Sequence, residues 1–130
     1  MQPRISLSLG PTDYPVVITA REHVVQADEP SEKGGTNSGP EAFELLLASL
    51  GACTAITLRM YARRKGWRLD GVRLGVGFDE EQGKRLIRMS LTCEGELSAD
   101  QRARLLQIAN ACPVHKALTT GVMVETRLTD

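Results

Sequence analysis

The stretch GPEAFELLLASLGACTAITLRMYARRKG, residues 39–66, predicts one long helix. Ser38 and Glu41 have the spacing of a capping box, and Pro40 suits a first helical turn. Acidic side chains lie near the start of the stretch and basic ones near its end, as the helix dipole favours. Gly66 then supplies a typical stop. These signals agree, so we expect a single helix over most of the stretch.

This helix is apolar on nearly every side between Phe43 and Met60. A helix that has no polar face is usually buried all round. A chain of 130 residues with a small sheet can hardly enclose such a helix. We therefore expect a second copy of the chain to cover part of it, which makes the protein a homodimer.

Length and composition limit the class of protein. A chain of 130 residues predicts a single domain, residues 1–130. Hydrophobic residues make up 42% and aromatic residues 4%, so the core must be aliphatic. Sixteen basic residues balance sixteen acidic ones, which argues against a nucleic-acid binder. The absence of a signal peptide and of any stretch as long as a membrane span predicts a cytoplasmic protein without a membrane partner.

The remaining segments predict strands before and after the long helix, which gives the α+β class. Ser98 and Gln101 form a second capping box, and Pro113 opens a short third helix. The polar, glycine-rich segment 28–40 precedes the long helix, and its composition favours a flexible loop over a loop shaped around a site. The predicted strands are residues 4–9, 14–20, 23–27, 72–79, 85–97 and 121–129.

The three cysteines are an odd number without a C-x-x-C pair, which argues against a structural disulfide framework. Cys53 lies in the middle of the long helix, where it is either an inert core residue or a thiol that the helix presents. Cys112 lies where a helix begins, and the dipole there favours a thiolate; the alternative is an unreactive cap. Cys93 falls on the apolar face of a strand and has no predicted role.

Other kinds of site have little support. Cys112 and His115 have C-x-x-H spacing, and His23, Cys53 and Cys93 are the further candidate ligands. Zinc sites usually present two tight ligand pairs, so one loose pair predicts no metal centre. The sequence also lacks a G-x-S-x-G turn and the phosphate-binding glycine motifs.

Two motifs together resemble the OsmC/Ohr family of osmotically inducible and organic-hydroperoxide-resistance proteins. The first is G-P-x-x-x-E-L-L-x-A-x-L-G-A-C on the long helix, and the second is A-x-x-C-P-V-H. The resemblance covers nearly the whole chain and implies an OsmC-like fold. In that fold an intertwined homodimer places the long helices centrally and wraps antiparallel sheets around them.

The resemblance also implies a chemistry, that of a thiol peroxidase which reduces organic hydroperoxides. Cys53 matches the peroxidatic cysteine and Cys112 the resolving cysteine, so the two would form a disulfide. No bound cofactor is implied, because an external thiol or a dithiol such as a dihydrolipoyl group supplies the electrons. Glu44 is the candidate for the family's catalytic glutamate, although it lies nine rather than ten positions before Cys53.

The family's hydroperoxidase branch also has an arginine between its first strands. No arginine stands in the turn GPTDY of this chain, and Arg4 and Arg21 are the nearest substitutes. Without that cation, Cys53 loses one means of stabilising its thiolate. The chain thus resembles a less characterised OsmC-like branch. Two other functions stay open: a non-enzymatic dimer that binds a small apolar ligand at its interface, and a slow redox sensor.

Overall fold

The computed structural model of the protein describes residues 4–129, and in this range the chain has the α+β class predicted from its sequence. All its strand pairs are antiparallel. A short 3₁₀ helix, Ser31–Lys33, precedes the long helix. The elements in chain order are β1 Ser6–Leu9, β2 Val16–Ala20, β3 His23–Ala27, α1 Ala42–Lys65, β4 Gly71–Glu81, β5 Lys84–Glu94, α2 Ala99–Ala109 and α3 Pro113–Thr120.

The chain divides into two compact units, Met1–Leu46 and Leu47–Asp130, so the division falls within α1. The first unit contains a three-stranded sheet in the order β1-β2-β3. Leu7 pairs with Ile18, and Ile18 pairs with Val25, which places the three apolar side chains in one row across the sheet.

The loop between β3 and α1 is held by Asp28 and has a defined conformation, contrary to the expected flexible segment. The Asp28 carboxylate is only 4% exposed. It accepts a hydrogen bond from the backbone N–H of Glu29 over 2.7 Å. Thr36 donates two more hydrogen bonds to it, from its backbone N–H over 3.2 Å and from its hydroxyl over 2.6 Å. The N–H and hydroxyl of Ser38 donate to it at 3.0 and 2.7 Å. These hydrogen bonds hold the pKa of the Asp28 carboxyl well below its usual range, first through Thr36 and then through Ser38.

The start of α1 differs from the predicted capping box. Because the Ser38 hydroxyl donates to Asp28, it does not cap the helix, which begins at Ala42. The N–H of Glu41 instead donates to the Glu44 carboxylate over 3.0 Å. The predicted end is confirmed, since Gly66 follows the helix with a left-handed φ of 72°. By length and apolar composition alone, α1 could cross a membrane, contrary to the expectation from the sequence. The buried core helix of a protein can meet the same two criteria.

The second unit packs a face of α1 against a hairpin and α2. β4 and β5 pair along their full length, from Gly71 opposite Glu94 to Glu81 opposite Lys84. Gly51 allows the close approach, since a Cβ there would lie 3.3 Å from the Val76 side chain. The core of this unit contains Leu58, Tyr61, Ala62, Leu69, Leu105 and Ala109. The aliphatic core predicted from composition is therefore present, with one tyrosine added.

The predicted last strand is wrong for the single chain, because residues 121–129 have no regular secondary structure. Alternating apolar residues indicate β-propensity, but a strand also needs a neighbouring edge with which to pair. Met123 is 93% exposed, and Val122, Val124 and Leu128 are also largely exposed.

Candidate active site

Helix α1 places Cys53 and Thr54 at the edge of its buried face. Leu50, Thr54 and Leu58 lie one turn apart, and each is buried. Thr54 is completely buried, whereas Cys53, the preceding residue, is half-buried. The Thr54 hydroxyl donates to the Leu50 carbonyl over 2.9 Å. This local bond satisfies a polar group that the core would otherwise leave unpaired.

Cys112 lies at the N-terminus of α3 and caps it. The predicted capping box of Ser98 and Gln101 is present at the start of α2, the helix that precedes Cys112. Pro113, which follows Cys112, is the first residue of α3. Cys112 has an extended backbone, and its sulfur accepts the backbone N–H of His115 over 3.3 Å. The thiol is 0% exposed. Burial and helix capping thus act on the same sulfur.

The fold brings the Cys53 and Cys112 side chains close together, near enough for Cys53 to contribute to the lowered pKa of the Cys112 thiol. The Thr54 oxygen also lies 3.7 Å from the Cys112 sulfur. Burial raises the pKa of the Cys112 thiol, but the hydrogen bonds from His115, Cys53, Thr54 and the Val114 N–H together lower it below the ordinary 9.0. The groups that favour this thiolate are neutral hydrogen-bonding groups.

A largely apolar cavity of about 440 Å³ lies next to two neighbours of Cys112, although neither Cys53 nor Cys112 itself lines it. Thr54 and His115, both in contact with Cys112, form part of its wall. Nδ1 of His115 is buried and has no hydrogen-bond partner in the described part of the chain. The rest of the wall is largely aliphatic and includes Leu50, Leu74, Leu86, Met89, Leu106 and Leu118, with Arg85 and Asn110 among the polar residues. A small molecule with an aliphatic body would fit such a wall.

The other predicted candidates lie apart from this contact or have another role. Cys93 is half-buried on β5, and burial raises the pKa of its thiol. Glu44 serves the start of α1 through the Glu41 N–H. Arg21 lies at the turn between β2 and β3, where its side chain is 76% exposed and 3.8 Å from Glu22. In residues 4–129, no group of three or more His, Cys, Asp or Glu side chains could hold a metal ion.

Sequence reasoning missed Thr54. Helical spacing points instead to the hydroxyls of Ser49 and Thr57, which lie one turn from Cys53 on either side along the sequence. Thr54 instead follows Cys53 directly and is turned toward the core, where it contacts Cys112. The available signal was a hydroxyl-bearing residue in the apolar row Leu50, Thr54 and Leu58.

A protein-family sequence model matches most of the chain. The sequence model described as OsmC-like protein matches residues 35–127, which include both cysteines of the contact. No curated protein sequence matches the chain.

Solved structures share the fold at low sequence identity. An OsmC-like protein from Mycoplasma pneumoniae has a TM-score of 0.75 and 17% identity, over 92% of this chain and 88% of that one. An organic hydroperoxide resistance protein OsmC from Legionella pneumophila has a TM-score of 0.61 and 18% identity, over 88% and 86% of the two chains. An organic hydroperoxide resistance protein from Elizabethkingia anophelis has a TM-score of 0.62 and 18% identity, over 87% and 84%.

Proposed function

The chain belongs to the OsmC-like protein family, and from that premise we propose that it is a thiol-dependent peroxidase that reduces organic hydroperoxides through Cys53 and Cys112. The observation that supports this most directly is the closeness of the Cys53 and Cys112 side chains, through which Cys53 helps to lower the pKa of Cys112. Two of the similar structures are organic hydroperoxide resistance proteins. A peroxidase of this kind needs one sulfur to react with the peroxide and a second within reach to resolve the product.

The proposed reaction begins at Cys53. Its thiolate attacks the terminal peroxide oxygen, the O–O bond breaks, and the alkoxide takes a proton and leaves as an alcohol. Cys53 is then a sulfenic acid. Cys112 attacks that sulfur, the S–O bond breaks, and the hydroxide takes a proton to become water while the disulfide forms. An external thiol or dithiol, such as a dihydrolipoyl group, reduces the disulfide and restores both cysteines.

The surroundings of the two thiols support this proposed division of roles. Cys53 is half-buried, whereas Cys112 is completely buried, so peroxide reaches Cys53 more easily. Cys112 has the amide and hydroxyl partners that favour a thiolate in place. A resolving thiol needs to be deprotonated and close rather than accessible. The largely aliphatic cavity that Thr54 and His115 line favours an organic hydroperoxide over hydrogen peroxide.

We include the homodimer in the proposal, with the exposed apolar side of α1 at the interface. Met60 is 66% exposed and Ile56 is 55% exposed. Large apolar side chains in a row on one helix are typical of an interface that a second copy covers. Glu44 stays a candidate catalytic residue through that second copy. We propose a cytoplasmic location, because the cycle needs thiols that the compartment keeps reduced.

The test of the proposed function is consumption of cumene and tert-butyl hydroperoxide with dithiothreitol or dihydrolipoamide as donor. Cys53→Ser is expected to abolish turnover, while Cys93→Ser, which changes a cysteine outside the pair, is expected to retain it. Cys112→Ser is expected to form a Cys53 sulfenic acid without a disulfide. Equal peroxide consumption by wild type and Cys53→Ser would contradict the proposal.

A second candidate function is non-enzymatic binding of a small apolar ligand. The cavity and the unpartnered Nδ1 of His115 favour it, because an aliphatic wall with one free polar atom can orient a ligand. This candidate predicts that Cys53→Ser binds a long-chain alcohol as tightly as wild type and that neither protein reacts with hydroperoxide. Titration calorimetry beside the peroxide assay separates the two functions.

A further inference from the structure

The buried hydroxyl of Thr54 has more neighbours than its local structure requires. It donates to the Leu50 carbonyl over 2.9 Å, which alone would satisfy a threonine inside a helix. It also lies 3.7 Å from the Cys112 sulfur and 3.8 Å from the Met89 sulfur. Thr54 is 0% exposed, so its hydroxyl lies within the protein interior. Valine would fill nearly the same volume without a polar atom, so packing alone does not account for the hydroxyl.

A hydroxyl has one proton and two lone pairs, so it can serve either protonation state of a neighbouring thiol. While it donates to the Leu50 carbonyl, a lone pair can accept the S–H of Cys112. When Cys112 is a thiolate, the hydroxyl can turn and donate to the sulfur instead. The Met89 thioether can only accept, so it cannot replace Thr54 in this role.

We propose that Thr54 is a positioning residue, whose hydroxyl holds the Cys112 sulfur toward Cys53 and compensates its negative charge during disulfide formation. This rests on the proposed peroxidase function. In the step concerned, Cys112 gives an electron pair to the Cys53 sulfur and the S–S bond forms. The S–O bond of the sulfenic acid breaks, and its electron pair leaves on hydroxide, which takes a proton to become water. The charge on Cys112 exists before this attack, and Thr54 is placed to stabilise it.

The need for such a group follows from burial. A completely buried thiolate is costly unless hydrogen bonds compensate its charge. The His115 N–H supplies one at 3.3 Å, and the Thr54 hydroxyl, 3.7 Å away on α1, can supply another when it turns from the Leu50 carbonyl. The titratable and charged groups around this sulfur and its cavity are Cys53 of α1, His115 of α3 and Arg85 of β5. Two partners from different helices also restrict where the sulfur can point.

The first test titrates reduced Cys112 by NMR of protein labelled with ¹³C at the cysteine Cβ, with Cys→Ser variants to assign the signals. Thr54→Val is expected to raise the titration midpoint of Cys112 by about one pH unit, since one hydrogen bond to the thiolate is lost. Thr54→Ser, which keeps the hydroxyl, is expected to restore the wild-type midpoint. Met89→Leu is the control, because it changes the other neighbour of the hydroxyl and is expected to leave the midpoint in place.

The second test follows disulfide formation by rapid quenching and mass spectrometry after one equivalent of cumene hydroperoxide. Thr54→Val is expected to slow conversion of sulfenic acid to disulfide roughly tenfold near neutral pH, with recovery as the pH rises above the shifted midpoint. Thermal unfolding checks that each variant folds. If Thr54→Val does not fold, Thr54→Ala provides the same comparison with Thr54→Ser.

The outcomes separate this inference from the function on which it rests. An unchanged Cys112 midpoint in Thr54→Val, in a wild type that reduces hydroperoxide, would overturn the role of Thr54 and leave the function standing. Thr54→Ser behaving like Thr54→Val would also overturn it, because shape rather than the hydroxyl would then matter. A wild type that reacts with no hydroperoxide would overturn the function, and with it the step assigned to Thr54.

Discussion

The backbone N–H of His115 donates to the Cys112 sulfur over 3.3 Å, so a buried thiol caps the helix that begins at Pro113. A serine or aspartate usually holds this position, and either would offer the amides a better acceptor than a neutral thiol. A thiolate, in contrast, is a strong acceptor and is favoured by the positive end of the helix dipole. The same contact therefore couples the stability of the fold to the ionisation of Cys112.

We expect the free energy of unfolding to rise with pH relative to that of Cys112→Ser. The pKa of Cys112 is lower in the folded chain than the ordinary 9.0, so below pH 9 the unfolded chain binds more protons. The stabilisation is complete above 9.0 and is lost as pH falls through the folded pKa. Urea unfolding of both proteins from about pH 6 to about pH 9.5 measures the difference.

Cys93→Ser is the matched control for this pH series. Burial raises the pKa of the Cys93 thiol. The contribution of Cys93 to the free energy of unfolding therefore falls with pH, and it is lost as the pH rises above the ordinary 9.0. A difference between wild type and Cys112→Ser that stays constant or falls with pH would contradict the lowered pKa of Cys112.

Mild treatment with tert-butyl hydroperoxide is expected to form one Cys53–Cys112 disulfide per chain and to leave Cys93 reduced. The Cys53 side chain is close enough to Cys112 to help lower its pKa, whereas Cys93 lies on β5 with a raised pKa and a smaller thiolate fraction. Peptide mapping under non-reducing conditions locates the bridge. The prediction fails if Cys93 takes part in the bridge, or if Cys53 is overoxidised while Cys112 stays free.

The protein is expected to be a dimer at micromolar concentration, and Ile56→Glu is expected to weaken it. Ile56 is an exposed apolar residue of α1, and a carboxylate there would be desolvated in an interface. An interface of standard size or larger is expected. Sedimentation velocity measures both proteins. Lys116→Glu, an exposed change on α3, is the control and is expected to remain dimeric. A monomeric wild type would refute the prediction.

Asp28→Asn is expected to lower the melting temperature and to speed hydrogen exchange at the Thr36 and Ser38 amides. Five donors converge on the Asp28 carboxylate, and an amide side chain offers one acceptor oxygen in place of two. Glu32→Gln, an exposed carboxylate in the same loop, is the control and is expected to change little.

The Asp28 contribution also has a defined pH dependence. Its pKa lies far below the ordinary 3.8, so the stabilisation is complete above that pH and is lost only as pH falls toward the folded pKa. The difference in melting temperature between wild type and Asp28→Asn should therefore be constant between neutral pH and about pH 5. A difference that disappears within that range would contradict the hydrogen-bond arrangement around Asp28.

The sequence by itself determined the features that depend on neighbouring residues. The end of α1 at Gly66, the capping box of Ser98 and Gln101, and the start of α3 at Pro113 were all predicted and are all present. Each depends on backbone geometry within a few residues, so the local sequence contains the whole cause. The resemblance to the family likewise predicted a shared role for Cys53 and Cys112, and that role stays a prediction.

Only the tertiary structure decided which partners the polar side chains and the last segment have. Ser38 donates to the buried Asp28 rather than capping α1, and the alternating residues 121–129 have no paired edge in the single chain. Thr54 was missed because its importance depends on Cys112, which the packing of two distant helices brings to 3.7 Å. Local pattern gives each residue its propensity, but the energy of a hydrogen bond or a strand pair depends on a partner that only the folded chain supplies.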